Sequence, residues 1–187
     1  MGIHPLNRAV FLDRDGVLNE SIIREGKPYP PVSVAELRIV TDALSALEGL
    51  KALALPLIVV TNQPDVARGT QTAAAVEAIH QALRESLPLD DFLSCYHDDR
   101  DECACRKPKP GLILEAAARH RIDCSRSFMV GDRWRDIEAG QAAGCRTIWI
   151  DRGYRELRPA RPDATVSSIG EAAAWIVQWI QSGNDSL

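Results

Sequence analysis

The chain has 187 residues, of which 45% are hydrophobic and 26% are charged, and this composition is typical of a soluble globular protein with one sizeable core. The net charge of −4 argues against nucleic-acid binding, and no apolar run is long enough to cross a bilayer. The N-terminus lacks a signal-peptide core, so we expect a cytoplasmic, monomeric protein without a membrane partner. We expect one domain over 1–187, with short flexible ends at about 1–7 and 183–187.

Hydrophobic periodicity divides the chain into alternating strands and helices. In chain order the predicted elements are a strand at 9–12, a helix at 42–54, a strand at 57–60, a helix at 72–86, a weaker strand at 92–96, a helix at 111–120, a strand at 127–130, a helix at 134–143, a strand at 146–150 and a helix at 169–181. Gly144 suits the end of the fourth helix, and Ser168 with Glu171 forms a capping box before the fifth.

This alternation predicts an α/β fold, in which a three-layer, Rossmann-like parallel sheet carries helices on both faces. The segment between residue 15 and the first helix is too short to hold a separate cap domain. The segment between the second and third strands is too short as well. Loops alone should therefore cover any site at the edge of the sheet.

Polar side chains follow three of the predicted strands. The first strand ends in Asp13 and Asp15, the second in Thr61-Asn62-Gln63, and the fourth in Gly131-Asp132. Ligands of open parallel sheets bind beyond the carboxyl ends of the strands, so these residues should share one site. The alternative is that these residues are ordinary turn residues, since turns are polar in any protein. That alternative explains one polar strand end well and three poorly. Two carboxylates one residue apart are costly to bury unless a cation or a reacting phosphate is also present.

Four metal-ligand side chains lie within eleven residues: Cys95, His97, Cys103 and Cys105. These residues could be unrelated thiols beside a surface histidine, but their arrangement in two pairs favours a tetrahedral zinc site. In a reducing compartment the clustering also favours a metal over a disulfide. Four protein ligands leave no open position, so this zinc would be structural. Cys105 directly precedes Arg106 and Lys107, so the metal would hold this basic pair toward the site.

The remaining cysteines and histidines have no such pattern. Cys124 and Cys145 lack neighbouring ligands and are assigned to packing. His80 and His120 lie on predicted helices, and we expect them at the surface or in an interface.

The ordered motifs resemble those of phosphatases in the haloacid dehalogenase superfamily. Four signatures occur in sequence order: Asp13-x-Asp15-Gly16, Thr61-Asn62-Gln63, Lys107, and Gly131-Asp132-x-x-x-Asp136. Each signature is weak alone, whereas the ordered set is specific. The resemblance implies the fold and the phosphatase activity of this superfamily, and it extends over nearly the whole chain.

The resemblance implies a nucleophilic mechanism at the first motif. Asp13 would attack phosphorus and form an aspartyl-phosphate, and Asp15 would protonate the leaving oxygen and then activate water. Mg²⁺ would be held by Asp13, the backbone carbonyl of Asp15, and Asp132. Asp136 would support the metal, or would only compensate the dipole of its helix.

The resemblance also assigns the phosphate contacts. Thr61, with Asn62 beside it, would bind the transferring phosphate, and Lys107 would supply positive charge. Lys109 carries the same charge two residues away, but Lys107 aligns with the Arg-Lys-Pro motif of one branch of the superfamily.

That branch contains heptose-bisphosphate phosphatases and histidinol-phosphate phosphatases, and the Cys–His segment is similar to theirs. The resemblance implies a phosphorylated sugar as the substrate, with Arg106, Lys107 and Arg133 in contact with it. Histidinol phosphate, another small phosphomonoester, or an inactive binding module of the same fold remain alternatives. Two departures leave the exact substrate open: Pro64-Asp65 replaces the usual Ser-Gly, and the loop at 20–40 diverges.

Overall fold

The structure, a computed structural model, describes residues 7–183. Most of the ends predicted to be flexible, 1–7 and 183–187, lie outside the described residues. Asn7 is described and is well anchored, because its N–H donates to the carbonyl of Arg121 at 2.9 Å and its carbonyl accepts from the N–H of Asp123 at 2.8 Å.

The fold is built on one parallel sheet. The described strands are β1 (Val10–Leu12), β2 (Ile22–Arg24), β3 (Lys27–Tyr29), β4 (Leu57–Asn62), β5 (Asp91–Cys95), β6 (Phe128–Gly131), β7 (Arg146–Ile150) and β8 (Ala164–Val166). Six of them form the sheet in the order β5-β4-β1-β6-β7-β8, and β2 and β3 form a separate antiparallel hairpin. β1 lies at the centre, where Val10 pairs with Leu57 on one side and with Phe128 on the other.

Helices cover both faces of the sheet. The described helices are α1 (Ala43–Lys51), α2 (Ala73–Ser86), α3 (Gly111–His120), α4 (Trp134–Ala143) and α5 (Ile169–Gln181), with short 3₁₀ helices at Val34–Glu36, Asp99–Asp101 and Cys124–Arg126. α1, α2 and α5 bury their apolar residues against one face, and α3 and α4 bury theirs against the other. None of the helices between residues 7 and 183 has the length and apolar character that a membrane span requires.

Successive side chains of the segment 9–12 point to opposite faces of the sheet, so this segment contributes to both hydrophobic cores. Val10 and Leu12 pack into the first core, Ala9 and Phe11 pack into the second, and all four are fully buried. The residue that follows Leu12 therefore emerges at the middle of the carboxyl edge of the sheet, where neighbouring strands exclude water from it.

The structure confirms the predicted fold class and the order of the predicted helices and strands. Sequence analysis missed the β2–β3 hairpin and β8, because each of these strands has only three residues and Pro28 interrupts the pattern of β3. Gly144 ends α4 in a left-handed conformation (φ 86°), as predicted. No cap domain separates the sheet edge from solvent among the described residues; the hairpin and loops lie over it.

Candidate active site

The carboxyl ends of β4, β1 and β6 meet at a pocket of about 260 Å³. These strands are neighbours in the sheet, which is why their terminal side chains converge. The pocket is lined by Asp13, Asp15 and Asp136 together with the buried Lys107. Its other lining residues come mainly from loops and include a set of cations: Lys27, Arg68, Arg106, Arg133 and Arg135.

Lys107 is a buried cation between two carboxylates. Its Nζ lies 2.8 Å from Oδ1 of Asp13 and 2.6 Å from Oδ1 of Asp136, and it donates to the carbonyl of Val60 at 2.8 Å. Burial alone would lower the pKa of Lys107, but the two carboxylates raise it above its ordinary value, so the side chain stays charged. Lys109 instead donates to the backbone carbonyls of residues 102 and 103, outside this contact.

Asp13, Asp132 and Asp136, which we call the acidic cluster, carry more negative charge than Lys107 can balance. One carboxylate oxygen from each lies within 4.8 Å of the others, and all three residues are buried. Burial, followed by repulsion from Asp136, raises the pKa of Asp13 to about 6 despite the opposing effect of Lys107. Burial and the charges of Asp13 and Asp136 raise the pKa of Asp132 well above its usual range.

The acidic cluster fits a hard divalent cation. Both carboxylate oxygens of Asp132 are buried without a hydrogen-bond partner of regular geometry among the described residues. Gly16 makes room for this carboxylate, because a Cβ at residue 16 would lie 1.7 Å from Oδ2 of Asp132 and the backbone there has φ +80°. Unpaired carboxylate oxygens in a buried cluster are the donor set that Mg²⁺ prefers.

The Asp15 carboxylate is fixed by several donors. Arg14 donates from Nε at 3.2 Å and from Nη2 at 2.9 Å, Asn19 donates at 3.0 Å and Gln63 at 2.9 Å. Burial would raise the pKa of Asp15, but the Arg14 guanidinium and these hydrogen bonds lower it below its usual range. The carboxylate is therefore ionised and held in one orientation.

Thr61 and Asn62 occupy different positions in the site. The side-chain amide of Asn62 donates to the carbonyl of Lys107 at 3.0 Å and accepts from its N–H at 3.1 Å, so it joins the end of β4 to the segment that carries the lysine. The hydroxyl of Thr61 accepts from Nε2 of Gln63 at 2.9 Å and remains able to donate its own proton. Asn62 also lines the pocket.

Arg106 and Arg133 line the pocket, but each guanidinium already has a carboxylate partner. Nε of Arg106 donates to Oδ1 of Asp99 at 2.8 Å, and Nε of Arg133 donates to Glu156 at 2.8 Å. Sequence analysis missed Arg135, whose Nη1 lies 3.1 Å from the same oxygen of Asp99. It also assigned no role to Arg68 or Glu156, because their partners Asp98 and Arg133 lie 30 and 23 residues away in the sequence.

The structure brings together Cys95, His97, Cys103 and Cys105, which we call the Cys–His cluster. Sγ of Cys95 lies 3.7 Å from that of Cys103 and 3.1 Å from that of Cys105, and Nδ1 of His97 lies 3.3 Å from Sγ of Cys105. A tetrahedral zinc with Zn–S bonds of about 2.3 Å requires S–S separations of about 3.8 Å. The four atoms therefore converge on one position, although the separation of Cys95 and Cys105 is shorter than a bound zinc would set.

The expectation that His80 lies at the surface or in an interface is wrong. His80 is fully buried, whereas His120 is partly exposed and lies 2.7 Å from Asp91. Residues 76, 79, 80 and 83 follow the i, i+3, i+4, i+7 pattern of one helix face, so the sequence did contain the signal that places His80 inward. Its polar partner Arg14, two residues after the end of β1, could not be identified from that pattern.

Known proteins share this fold and sequence pattern. A family model described as HAD-hydrolase-like matches residues 104–172. The D-glycero-beta-D-manno-heptose-1,7-bisphosphate 7-phosphatase of Helicobacter pylori is 40% identical over 141 residues, covering 72% of this chain and 78% of the relative. The protein of the same name from Escherichia coli K12 is 33% identical over 181 residues, covering 90% and 87% respectively. The D,D-heptose 1,7-bisphosphate phosphatase from B. bronchiseptica, solved with magnesium and phosphate, matches with a TM-score of 0.75 at 28% identity, covering 91% of this chain and 98% of that one. The chain therefore belongs to the haloacid dehalogenase-like family of hydrolases and is a phosphatase.

Proposed function

We propose that this phosphatase removes the C7 phosphate from D-glycero-D-manno-heptose 1,7-bisphosphate through an aspartyl-phosphate on Asp13, with Mg²⁺ in the active site. The observation that carries the mechanism is the pairing of Lys107 with Asp13 beside the buried carboxylate of Asp132, whose oxygens have no hydrogen bond of regular geometry among the described residues. The substrate is carried over from the named relatives, which are 33–40% identical to this chain.

Asp13 is the nucleophile. One of its oxygens contacts the Lys107 ammonium, and the carboxylate lies at the end of a buried central strand, so it is rigidly presented to the pocket. Attack on phosphorus forms the acyl-phosphate bond and breaks the bond to the sugar oxygen. The Lys107 ammonium stabilises the negative charge of the phosphoryl oxygens during this transfer.

Asp15 is the general acid and base. It gives a proton to the departing sugar oxygen and later takes one from the water that cleaves the aspartyl-phosphate. In the free protein its carboxylate is ionised and held by Arg14, Asn19 and Gln63. A phosphate dianion near this carboxylate favours its protonated form, because like charges disfavour ionisation.

The Mg²⁺ ligands would be Asp13, Asp132 and the backbone carbonyl of Asp15, with Asp136 supporting the same cluster through its contact with Lys107. When bound, the ion supplies charge neutralisation between the anionic nucleophile and the anionic ester. Thr61 donates its hydroxyl to the phosphate, while Asn62 holds the backbone of Lys107.

The cations around the pocket favour a substrate with a second anionic group. Arg106 and Arg133 line the pocket, and each has a carboxylate partner that substrate phosphate can replace. Structural zinc in the Cys–His cluster would hold Arg106 through its neighbour Cys105. The pocket is open to solvent and has no cap domain above it in the described part of the chain, which suits a seven-carbon sugar.

Hydrolysis by the purified protein with Mg²⁺ tests the proposal. Both anomers of the heptose bisphosphate are compared with histidinol phosphate, and we expect the heptose to give the higher kcat/KM. Asp13→Asn should lower kcat by at least about 10³-fold with the fold retained. Asp90→Asn is the matched control, because Asp90 precedes β5 at the opposite edge of the sheet.

Two results would overturn parts of the proposal separately. Hydrolysis by Asp13→Asn at close to the wild-type rate would remove the nucleophilic role. A higher kcat/KM on histidinol phosphate would leave the mechanism intact but reassign the substrate.

A further inference from the structure

A buried hydrogen-bond chain lies behind Asp15, on the side away from the pocket. The guanidinium of Arg14 is fully buried, and its Nε and Nη2 face the carboxylate of Asp15. Its Nη1 lies 3.3 Å from Nε2 of His80, on α2. Arg14 therefore connects the acid/base carboxylate to a residue that does not line the pocket.

The contacts of His80 assign its tautomer. Arginine can only donate, so Nε2 of His80 must accept, and the ring proton is on Nδ1, which lies 3.3 Å from Oε1 of Glu77. Burial, followed by the nearby Arg14 charge, lowers the pKa of His80 to about 4, so the ring is neutral near pH 7. The hydroxyl of Tyr96 donates to the same oxygen of Glu77 at 2.9 Å.

The packing around His80 restricts its ring. Its centroid lies 4.7 Å from that of Phe92 on β5, and the neighbouring α2 residues Ile79 and Leu83 are fully buried. The ring therefore cannot leave the contact with Arg14 without moving the core. A fixed acceptor on Nη1 limits rotation of the guanidinium, and the guanidinium in turn determines where the two Asp15 oxygens lie.

We propose that His80 is a positioning residue that acts through Arg14 to hold Asp15 in the orientation needed for proton transfer to the leaving oxygen. The inference rests on the proposed role of Asp15 as the general acid. Proton transfer requires donor and acceptor atoms about 2.6–3.2 Å apart, and small displacements of a catalytic group reduce the rate strongly. His80 itself touches no substrate.

The test compares two amide substitutions. His80→Gln can place its carbonyl oxygen near the position of Nε2, whereas His80→Asn is too short to reach Arg14. The substrates are the heptose phosphate, whose alkoxide leaving group needs a proton, and p-nitrophenyl phosphate, whose leaving group does not. Phe92→Leu is the packing control, because it disturbs the His80 ring without removing its hydrogen bond.

We expect His80→Asn to lower kcat/KM about tenfold on the sugar phosphate and to change it little on p-nitrophenyl phosphate. The ratio kcat/KM reports formation of the aspartyl-phosphate, whereas kcat also includes the later water step that both substrates share. His80→Gln should retain most of the wild-type kcat/KM, and Phe92→Leu, which leaves the hydrogen bond to Arg14 in place, should cost less on the sugar phosphate than His80→Asn does. Equal losses of kcat/KM on both substrates, or Asn and Gln variants with equal kcat/KM on the sugar phosphate, would overturn the proposal.

Two further variants keep the outcome interpretable. Glu77→Ala changes an exposed side chain, and we expect it to show the same dependence on substrate with a smaller loss. If Glu77→Ala showed no dependence on substrate, the inference would be contradicted even if neither His80 variant folds. Asp15→Asn is the reference. If its kcat/KM lacks the substrate-dependent loss, the proposed acid role of Asp15 fails. If its kcat/KM shows the loss and that of the His80 and Glu77 variants does not, only this inference fails.

Discussion

The acidic cluster should make the protein less stable as pH rises, and Asp13→Asn should remove part of this effect. Asp13 is buried, and its pKa is raised to about 6 from an ordinary value of 3.8. Between these pH values the folded state holds a proton that the unfolded state has released. The free energy of unfolding therefore falls with rising pH in this window.

The size of the effect follows from the shift. Because one pKa unit corresponds to 1.36 kcal/mol, a change from 3.8 to about 6 amounts to about 3 kcal/mol. This contribution is fully present below pH 3.8 and is lost as pH rises through about 6. Asn at position 13 carries no proton to lose, and Lys107 keeps its contacts with Asp136 and the carbonyl of Val60.

Urea unfolding of wild type and Asp13→Asn at pH 4 and pH 7.5, without added Mg²⁺ and without a chelator, measures this effect. Titrations of groups that Asp13 does not influence cancel in the difference. The pKa of Asp132, which the charge of Asp13 raises, falls in the variant and adds to the effect in the same direction. We expect the titration of Asp13 to make the variant gain about 2 kcal/mol relative to wild type between the two pH values, because the unfolded-state Asp is already partly ionised at pH 4. Adding Mg²⁺ should stabilise wild type more than the variant. A difference that does not change with pH, or that changes in the opposite direction, would refute the reasoning.

Three further substitutions test the other parts of the site. Lys107→Met leaves buried carboxylates without their cation, so we expect about 3–5 kcal/mol lower stability in urea unfolding and loss of turnover; near-wild-type values would contradict the role of the lysine. Gly16→Ala puts a Cβ 1.7 Å from Oδ2 of Asp132, so activity titrations should need more Mg²⁺, and an unchanged titration curve would count against the cation site. Cys103→Ser should lower the zinc content, from about one per chain, together with Tm and activity. Metal analysis, thermal melting and turnover measure these three quantities. Unchanged zinc content and Tm would show that the Cys–His cluster is not a structural metal site.

The position of the site could be predicted because it depends on regular structure. Parallel strands place their carboxyl ends along one edge, so Asp13, Thr61 and Asp132 had to meet once the strands were recognised. The Cys–His cluster was predictable for a similar reason, since its ligands lie within eleven residues. Local pattern was sufficient in both cases.

Other features depend on contacts between distant residues. The sequence places Arg133 near the pocket, but its partner Glu156 lies on a loop that no periodic pattern describes. Likewise, the sequence shows Arg14 between two aspartates but does not predict its partners. Its burial against His80, 66 residues away, requires α2 to pack beside β1 and β4, and that packing is a property of the whole fold.

The division of charge within the pocket suggests how one mechanism can serve different substrates. The acidic cluster and Lys107 lie on or next to the sheet and are buried, so their geometry is rigid. Arg68 and Arg106 come from loops, are held by exposed carboxylates, and can exchange those partners for a substrate anion. Substitutions in the loops can therefore change which sugar phosphate is bound without disturbing the carboxylates that perform phosphoryl transfer. We therefore expect the departures at Pro64-Asp65 and in the loop at 20–40 to change the choice of substrate and to leave the chemistry unchanged.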